Sequence, residues 1–411
     1  MTDPATTQTA IRPQWFSEQV LAAQAAYEAL PVPIRLDEQW RFGARKGADF
    51  SAFVPAVPRE NYGSSGRLLE DAVTVEILNG IWSGVEGVLP DGLEILSLER
   101  WIASDEAEAR DWLGREVAAL GSAPCVAWNR AMMTEAVVVK VRPGVCVETP
   151  VEIIWRVEGE SAAIFPYTLV LAGEASSINL LERHVGSGYV PQLAVGVQRI
   201  ETAPSSFVRY ALLQQMTTLG SALEVGQADL RDNARVEHLS AHSGALWTRQ
   251  ELTSRMLGSD AWAELMSVAS LDGHCVLDQR THQAHLTPGS GSNLMYKTVL
   301  RGASRNVFAG MIRVEEGAHG TDAYQSTRNL LLSDAAESDS LPGLEILADG
   351  VRCSHGTATS SIDPEEVFYL LSRGIPKAEA ERMIAAGFLH QASMKFGYSP
   401  IVEAVMKSIE R

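Results

Sequence analysis

The chain has 411 residues, 46% of them hydrophobic, and a formal net charge of −17. That length fits two or three domains or one long solenoid with appendages, and the lack of any basic run excludes generic recognition of nucleic acid or of an anionic membrane surface. No apolar run reaches the about 18 residues a membrane span needs, the polar start MTDPATTQTAIRPQW is neither a secretory signal nor a transit peptide, and four scattered cysteines without CxxC spacing point to a reduced cytoplasm.

Residues 1–130 form a mixed first region. WFSEQVLAAQAAYEAL (Trp15 to Leu30) has the periodicity of an amphipathic helix. SDEAEARDWLGREVAAL is predicted as a second helix, with Ser104 as its N-cap. Between them AVTVEIL and LEILSL read as short strands.

Residues 131–360 have a different texture, and we assign them to a single β core. Strand-like pieces follow one another with almost no helical periodicity: AVVVKV, VEIIWRV, YTLVLAG, SINLLERHV, FVRYALL, EVGQADL, RVEHLSA and NVFAGMIRV. Loosely similar turns separate them, GEAS at 173, RDNA at 231, GSDA at 258, RGAS at 301, EGAH at 316 and SDAA at 333, each with a small residue at the bend. In NVFAGMIRV, period-2 alternation puts Phe308, Gly310, Ile312 and Val314 on one face, with Arg313 and Glu315 pointing away. A long series of strands without intervening helices excludes a doubly wound α/β sheet. A sandwich, a barrel or a stacked β-solenoid remains. The recurring turns fit the solenoid best, because each coil buries its face against the next.

Residues 361–411 turn helical. Asp363 is placed as N-cap, Pro364 in the first helical position, Glu366 at the third, and Ile362 with Val367 as a hydrophobic staple. Gly374 ends this helix. A second starts near Pro376 and a third near Ser399-Pro400, where Ile401, Val405 and Ile409 fall on one stripe flanked by Val402 and Met406. So apolar a set of helices must cover either the open end of the solenoid or another chain.

Most catalytic motifs fail on their chemistry. GSGSNLMYKT (Gly289 to Thr298) has the outline of a phosphate loop, but Tyr296 stands where glycine must precede the lysine. HQAH places His282 and His285 three apart, which on a strand sends them to opposite sides and leaves them as polar positions near a loop. His274 and Cys275 are adjacent and diverge on a strand. Cys125 and Cys146, in apolar contexts, read as small core residues. There is no HExxH, GxSxG or dinucleotide-binding glycine pattern. Cys353 and His355 remain. On an extended segment residues i and i+2 share a face, so a thiol and an imidazole could approach one metal together. Two ligands do not complete a tetrahedral site or an iron–sulfur cluster. A site here would therefore be shared across a subunit interface; otherwise the pair is a core thiol and a hydrogen-bonded imidazole.

The segment from Thr321 to Phe388 resembles the C-terminal core of the SufB/SufD family of iron–sulfur cluster assembly proteins. The matching pieces are Gln325 to Ser333, Leu344-Glu345-Ile346, Cys353-Ser354-His355-Gly356, and Phe368-Tyr369-Leu370 leading to Ser372-Arg373-Gly374-Ile375. Weaker similarity covers YKTVLRGASRNVFAGMIRV, the stretch around VAWNRAMMTEAVVVKVRPGVCVETPVEI, and Glu38 to Arg41. SufB proteins carry a cysteine in the strand equivalent to RNLLLSD (Arg328 to Asp334), which has none here, so the chain resembles the SufD side. TATSSID after CSHG has a SufB flavour.

The resemblance implies a right-handed parallel β-helix with N-terminal α/β and C-terminal helical parts. It implies a non-catalytic scaffold subunit that pairs with a SufB-like paralogue and docks a SufC-like ABC-type ATPase on its C-terminal helices, with Phe368, Tyr369, Arg373 and Ile375 as contacts. It places His355, with Cys353 nearby, at the shared interface, where a transient iron–sulfur cluster or iron would be held; whether Cys353 is a ligand or core stays open. No nucleotide is expected on this chain. The alternatives are a SufB-like homodimeric scaffold and a β-solenoid carbohydrate-active enzyme, although acidic residues do not line up through the strands as the latter requires.

Overall fold

The computed structural model describes residues 12–30, 37–43, 50–58 and 66–410. The first eleven residues of the polar start lie outside the described residues, so the expectation placed on them does too.

The first region supplies α1 (Gln14–Ala29), short 3-10 turns at Glu38–Trp40 and Phe50–Ala52, β1 (Val54–Pro55), β2 (Val73–Leu78), β3 (Ile81–Glu86), β4 (Leu93–Ser97), α2 (Leu98–Ser104), α3 (Glu106–Gly114) and α4 (Ala123–Met132). The helix expected from Ser104 is displaced by one residue. Ser104 is the last residue of α2, and Asp105 caps α3 by accepting the Glu108 N–H. A carboxylate at this position also meets the positive end of the helix dipole, which a hydroxyl does not match. The helix stops at Gly114 rather than running on to Leu120.

From β5 (Val137–Val141) the chain coils. It continues through β6 (Val151–Val157), β7 (Ala162–Ile164), β8 (Tyr167–Ala172), β9 (Ser177–Gly186), β10 (Gln192–Thr202), β11 (Phe207–Gln215), β12 (Ser221–Leu230), β13 (Arg235–Ser243), β14 (Trp247–Met256), β15 (Trp262–Leu271), β16 (Val276–His285), β17 (Gly291–Leu300), β18 (Arg305–Val314), β19 (Asp322–Leu331), β20 (Glu337–Ile346) and β21 (Arg352–Ser361). Even strands from β8 to β20 pair in parallel in one sheet, and odd strands from β9 to β21 pair in parallel in the other. This is a parallel β-solenoid with two strands per coil.

The recurring turns have one physical cause. At the bend from the first sheet to the second, Ala175, Ser205, Asn233 and Asp260 all take φ between 53° and 58°. That left-handed conformation is tolerated by small or short polar residues. Each of these N–H groups donates to the turn of the following coil: Ala175 to Pro204 O, Ser205 to Asp232 O, Asn233 to Ser259 O and Asp260 to Pro288 O. The turns therefore stack as the strands do.

Three apolar layers result. Between the sheets lie Ile153, Leu180, Leu212, Leu252 and their neighbours. On the outer face of the first sheet, Leu169, Val195, Leu223 and Trp247 pack under the N-terminal helices and the Trp40 segment. On the outer face of the second sheet, Leu213, Leu239, Met266 and Val299 pack under the C-terminal helices.

Those helices are α5 (Pro364–Leu371), α6 (Lys377–Ser393) and α7 (Ser399–Ile409). Asp363 caps α5 by accepting the Glu365 N–H at 2.8 Å, and Gly374, at φ +84°, lies beyond its end. Ile401, Val402, Val405, Met406 and Ile409 are all buried. What they cover is the flank of the second sheet, near β13, β15 and β17, and not the open end of the solenoid.

Candidate functional site

The open end is the last coil. β12, in the middle, is buried at every residue, whereas β20 and β21 are exposed or half-exposed throughout. Each of these two strands pairs on one side only, β20 with β18 and β21 with β19, so a row of main-chain N–H and C=O groups faces outward along both.

Cys353 and His355 lie on β21. Cys353 stands opposite Ala323 and His355 opposite Gln325, and both partners are buried side chains of β19. Partners in a parallel ladder share a face, so Cys353 and His355 both belong to the inward face of a coil that no described residue caps. Their Cα atoms are about 7 Å apart by strand geometry.

The two groups differ in setting. The half-buried thiol packs against the cluster of Ile312, Val314, Ala318 and Ala323. Burial pushes its pKa up, partly offset by the Ala323 hydrogen bond and reinforced by Asp322. In the isolated chain it is therefore a thiol rather than a thiolate. His355 is exposed at the rim. Among the described residues no three His, Cys, Asp or Glu side chains come together as a metal site. The rim is apolar along β20, where Leu341, Leu344 and Ile346 are partly exposed, followed by Leu347 at 49%. Sequence reasoning gave these four side chains no place at a rim, because an apolar strand residue normally signals core.

On α5, Phe368 is 71% exposed and Tyr369 55%. The Arg373 guanidinium lies 4.3 Å from the Tyr369 ring centroid and donates to its hydroxyl at 2.5 Å, while Ile375 is half-buried. An aromatic pair held this open is uncommon on a solvated helix.

The other candidates separate. On β16, His285 points inward with its ring nitrogens 2.9 and 2.8 Å from Ser290 Oγ and Ser292 Oγ, its pKa pushed down to about 4 by burial. His282 takes the opposite face, so the two make no common site. His274 and Cys275 lie in the turn before β16, not on a strand as expected; the tight Asp272-Gly273 bend delays the strand until Val276. Cys125 is buried, its thiol pushed up to about 12 mainly by burial. Cys146 corrects its expectation: it is exposed, with Sγ 2.8 Å from Ser177 Oγ, because it lies outside β5 and β6 where the chain faces solvent. GSGSNLMYKT leads from a turn into strand β17, where Tyr296 packs on Phe308 and Lys297 sits 4.2 Å from the Phe388 ring of α6.

Buried acids are present but form no row on one face. Glu224 points inward and lies opposite Gln250. Glu251 and Asp278 face outward and share Arg249, at 2.7 and 2.5 Å. Arg249 also stacks on Trp40 and donates to Gln39 O, so this cluster fastens the N-terminal segment to the sheet. The multi-carboxylate face of a carbohydrate-active solenoid does not form among the described residues.

The family model "SUF system FeS cluster assembly, SufBD core domain" matches residues 155–388, more than half of the chain. Among curated relatives, an iron–sulfur cluster assembly SufBD family protein of Mycobacterium leprae is 29% identical over 250 residues, 61% of this chain and 29% of that protein. The Bacillus subtilis protein SufD is 28% identical over 290 residues, 69% of this chain and 66% of SufD. SufB of the same organism is 26% identical over 264 residues, 64% of this chain and 57% of SufB. The matched region thus spans less than two thirds of each relative's length. No helix among the described residues is long and apolar enough to cross a membrane. With a two-sheet parallel solenoid, and with the matched region running from β6 through α6, the chain belongs to the SufBD family of the SUF system of iron–sulfur cluster assembly.

Proposed function

We propose that this chain is a non-catalytic scaffold subunit of a SufBCD-type complex in the cytoplasm. The observation that carries this reading is the uncapped last coil. Two strand edges, an apolar rim and a thiol–imidazole pair are presented together, and each is incomplete alone. A SufB-like solenoid meeting this end would extend both sheets and supply the remaining ligands. Covering Leu341, Leu344, Ile346 and Leu347 contributes on the order of 1–2 kcal/mol each. The iron–sulfur cluster is the cargo of this interface, with His355 as a ligand and Cys353 as a second ligand once the partner's charge lowers its pKa.

The second docking surface is α5, where Phe368, Tyr369, Arg373 and Ile375 would receive the SufC-like ATPase. Aromatic and arginine side chains of this kind are common anchors at interfaces. Assignment to the SufD side rests on Arg328 to Asp334, which contains no thiol. The relative named SufB supports a second reading, a homodimeric scaffold that assembles cluster alone.

The test is co-expression of tagged wild-type and His355→Ala chains with candidate SufB and SufC subunits, reading co-purified subunits and bound iron and sulfide. The proposal expects both subunits to co-purify with either chain and iron to fall at least several-fold in the variant. Unchanged iron and cluster output remove His355 from the site. A stable cluster on the purified chain alone favours the homodimeric reading.

A further inference from the structure

The interior of the solenoid changes character along its axis. On β6 the inward side chains are Val151, Ile153, Trp155 and Val157. Further on, the strands that carry Leu180, Val208, Ala222, Val236 and Leu265 also bury polar side chains inward: Glu182 and His184, Gln214, Glu224, His238, Ser240 and His242, and Ser267. On β9, His184 lies between two carboxylates, 2.8 Å from Glu182 Oε1 and 3.1 Å from Glu224 Oε1, and Tyr210 also donates to Glu182. All four side chains are fully buried. The next coils carry a linked set: Gln250 joins Ser240 and His242, and Gln279 joins Gln250 at 3.0 Å and Ser267 at 2.9 Å. Toward the open end, Gln283 donates to Ser292 Oγ, and Gln325 reaches Gly310 O at 3.4 Å.

This column is not satisfied by the protein. Glu224 Oε2, His242 Nδ1, Thr281 Oγ1, Gln283 Oε1 and Gln325 Oε1 have no hydrogen-bond partner among the described residues, and each belongs to a residue no more than 3% exposed. A buried polar atom without a partner costs about 1–3 kcal/mol, and such atoms in native proteins are ordinarily satisfied by ordered water. Side chains shrink along the axis: in the register that holds Ile153 on β6, Leu212 on β11 gives way to Ser240 on β13 and Ser267 on β15. One of these groups, Gln325, is the register partner of His355 at the open end.

We propose that the interior from β9 to β19 binds a file of water molecules joining the Glu182–His184–Glu224 cluster to the open last coil. Protons exchange along this file by hopping between waters and the amide, hydroxyl and imidazole groups, each site passing one proton on as it accepts another. No co-reactant is consumed. His184 thereby exchanges with solvent without unfolding. The inference stands apart from the cluster-assembly reading, since the interior is wet or dry whichever partner the chain takes.

The test uses the full chain labelled with ¹⁵N-histidine, following exchange of the His184 ring N–H with D₂O by NMR. A parallel sample carries Gln325→Leu and Thr281→Val together, which replace polar groups of the file by apolar ones of similar size. The proposal expects native-state exchange in the wild type and at least tenfold slower exchange in the double variant. Equal rates in the two, or wild-type exchange only at the global unfolding rate, overturn it. If the variant fails to fold, a high-resolution crystal structure of the wild type decides. Ordered water bonded to Gln283 Oε1 and Gln325 Oε1 supports the proposal, and a dry interior overturns it.

Discussion

His355 and Gln325 stand opposite each other in the last ladder of the solenoid, yet one is exposed and the other is 1% exposed. A single strand spacing separates interior from solvent. The inward face of β21 is therefore interior geometry without a lid among the described residues.

The apolar rim should matter for association and not for folding. Leu344→Asp and Ile346→Arg alter side chains that are already partly exposed, so unfolding free energy should change by less than about 1 kcal/mol. Binding to a SufB-like partner should weaken at least tenfold, since a charge would be buried without a counterion. Urea denaturation and titration calorimetry separate the two effects.

The four thiols should alkylate in order of access. Cys146 is exposed and should react first with iodoacetamide; Cys353 and Cys275, half-buried with raised pKa values, should follow slowly. Cys125, with its thiol pushed up to about 12, should react only on unfolding. Adding the partner should protect Cys353 and leave Cys146 unchanged. Mass spectrometry of tryptic peptides gives all four rates.

Stability should peak near neutral pH. His238 and His285 have folded pKa values pushed down to about 4 by burial, below the unfolded value of about 6.5. Between those limits the unfolded chain binds the extra protons, so stability falls as pH drops from about 6.5 toward 4. His184 behaves oppositely. The carboxylates of Glu182 and Glu224 outweigh desolvation and raise it to about 9. Its contribution is complete below pH 6.5 and is lost as pH rises through 9. Denaturant midpoints measured from pH 4 to 10 should show both limbs, and His285→Gln should flatten the acid limb.

The solenoid was legible because its turns repeat a backbone requirement that sequence records, with Ala175, Asn233 and Asp260 each at the bend of a coil. The strands were harder to read. WTRQELTSRM looks too polar for a core strand, yet β14 is buried almost throughout, since one face meets the polar interior and the other holds Arg249 and Glu251 under Trp40. With both faces covered, period-2 alternation disappears. The Cys353–His355 pairing could be read from an i, i+2 spacing. The rim could not, because Leu344 and Ile346 carry no mark that distinguishes an uncapped coil from a capped one. Cys146 misled for the converse reason: valine neighbours suggested core, but the residue lies in an exposed connection.

The most direct test of the open-end interface is amide hydrogen exchange on the chain alone and in complex with its SufB-like partner. The account expects protection to rise at Glu337–Ile346 and Arg352–Ser361, with little change in the central strands such as β12. Protection confined to other surfaces, with β20 and β21 exchanging as fast in the complex as in the free chain, would contradict it.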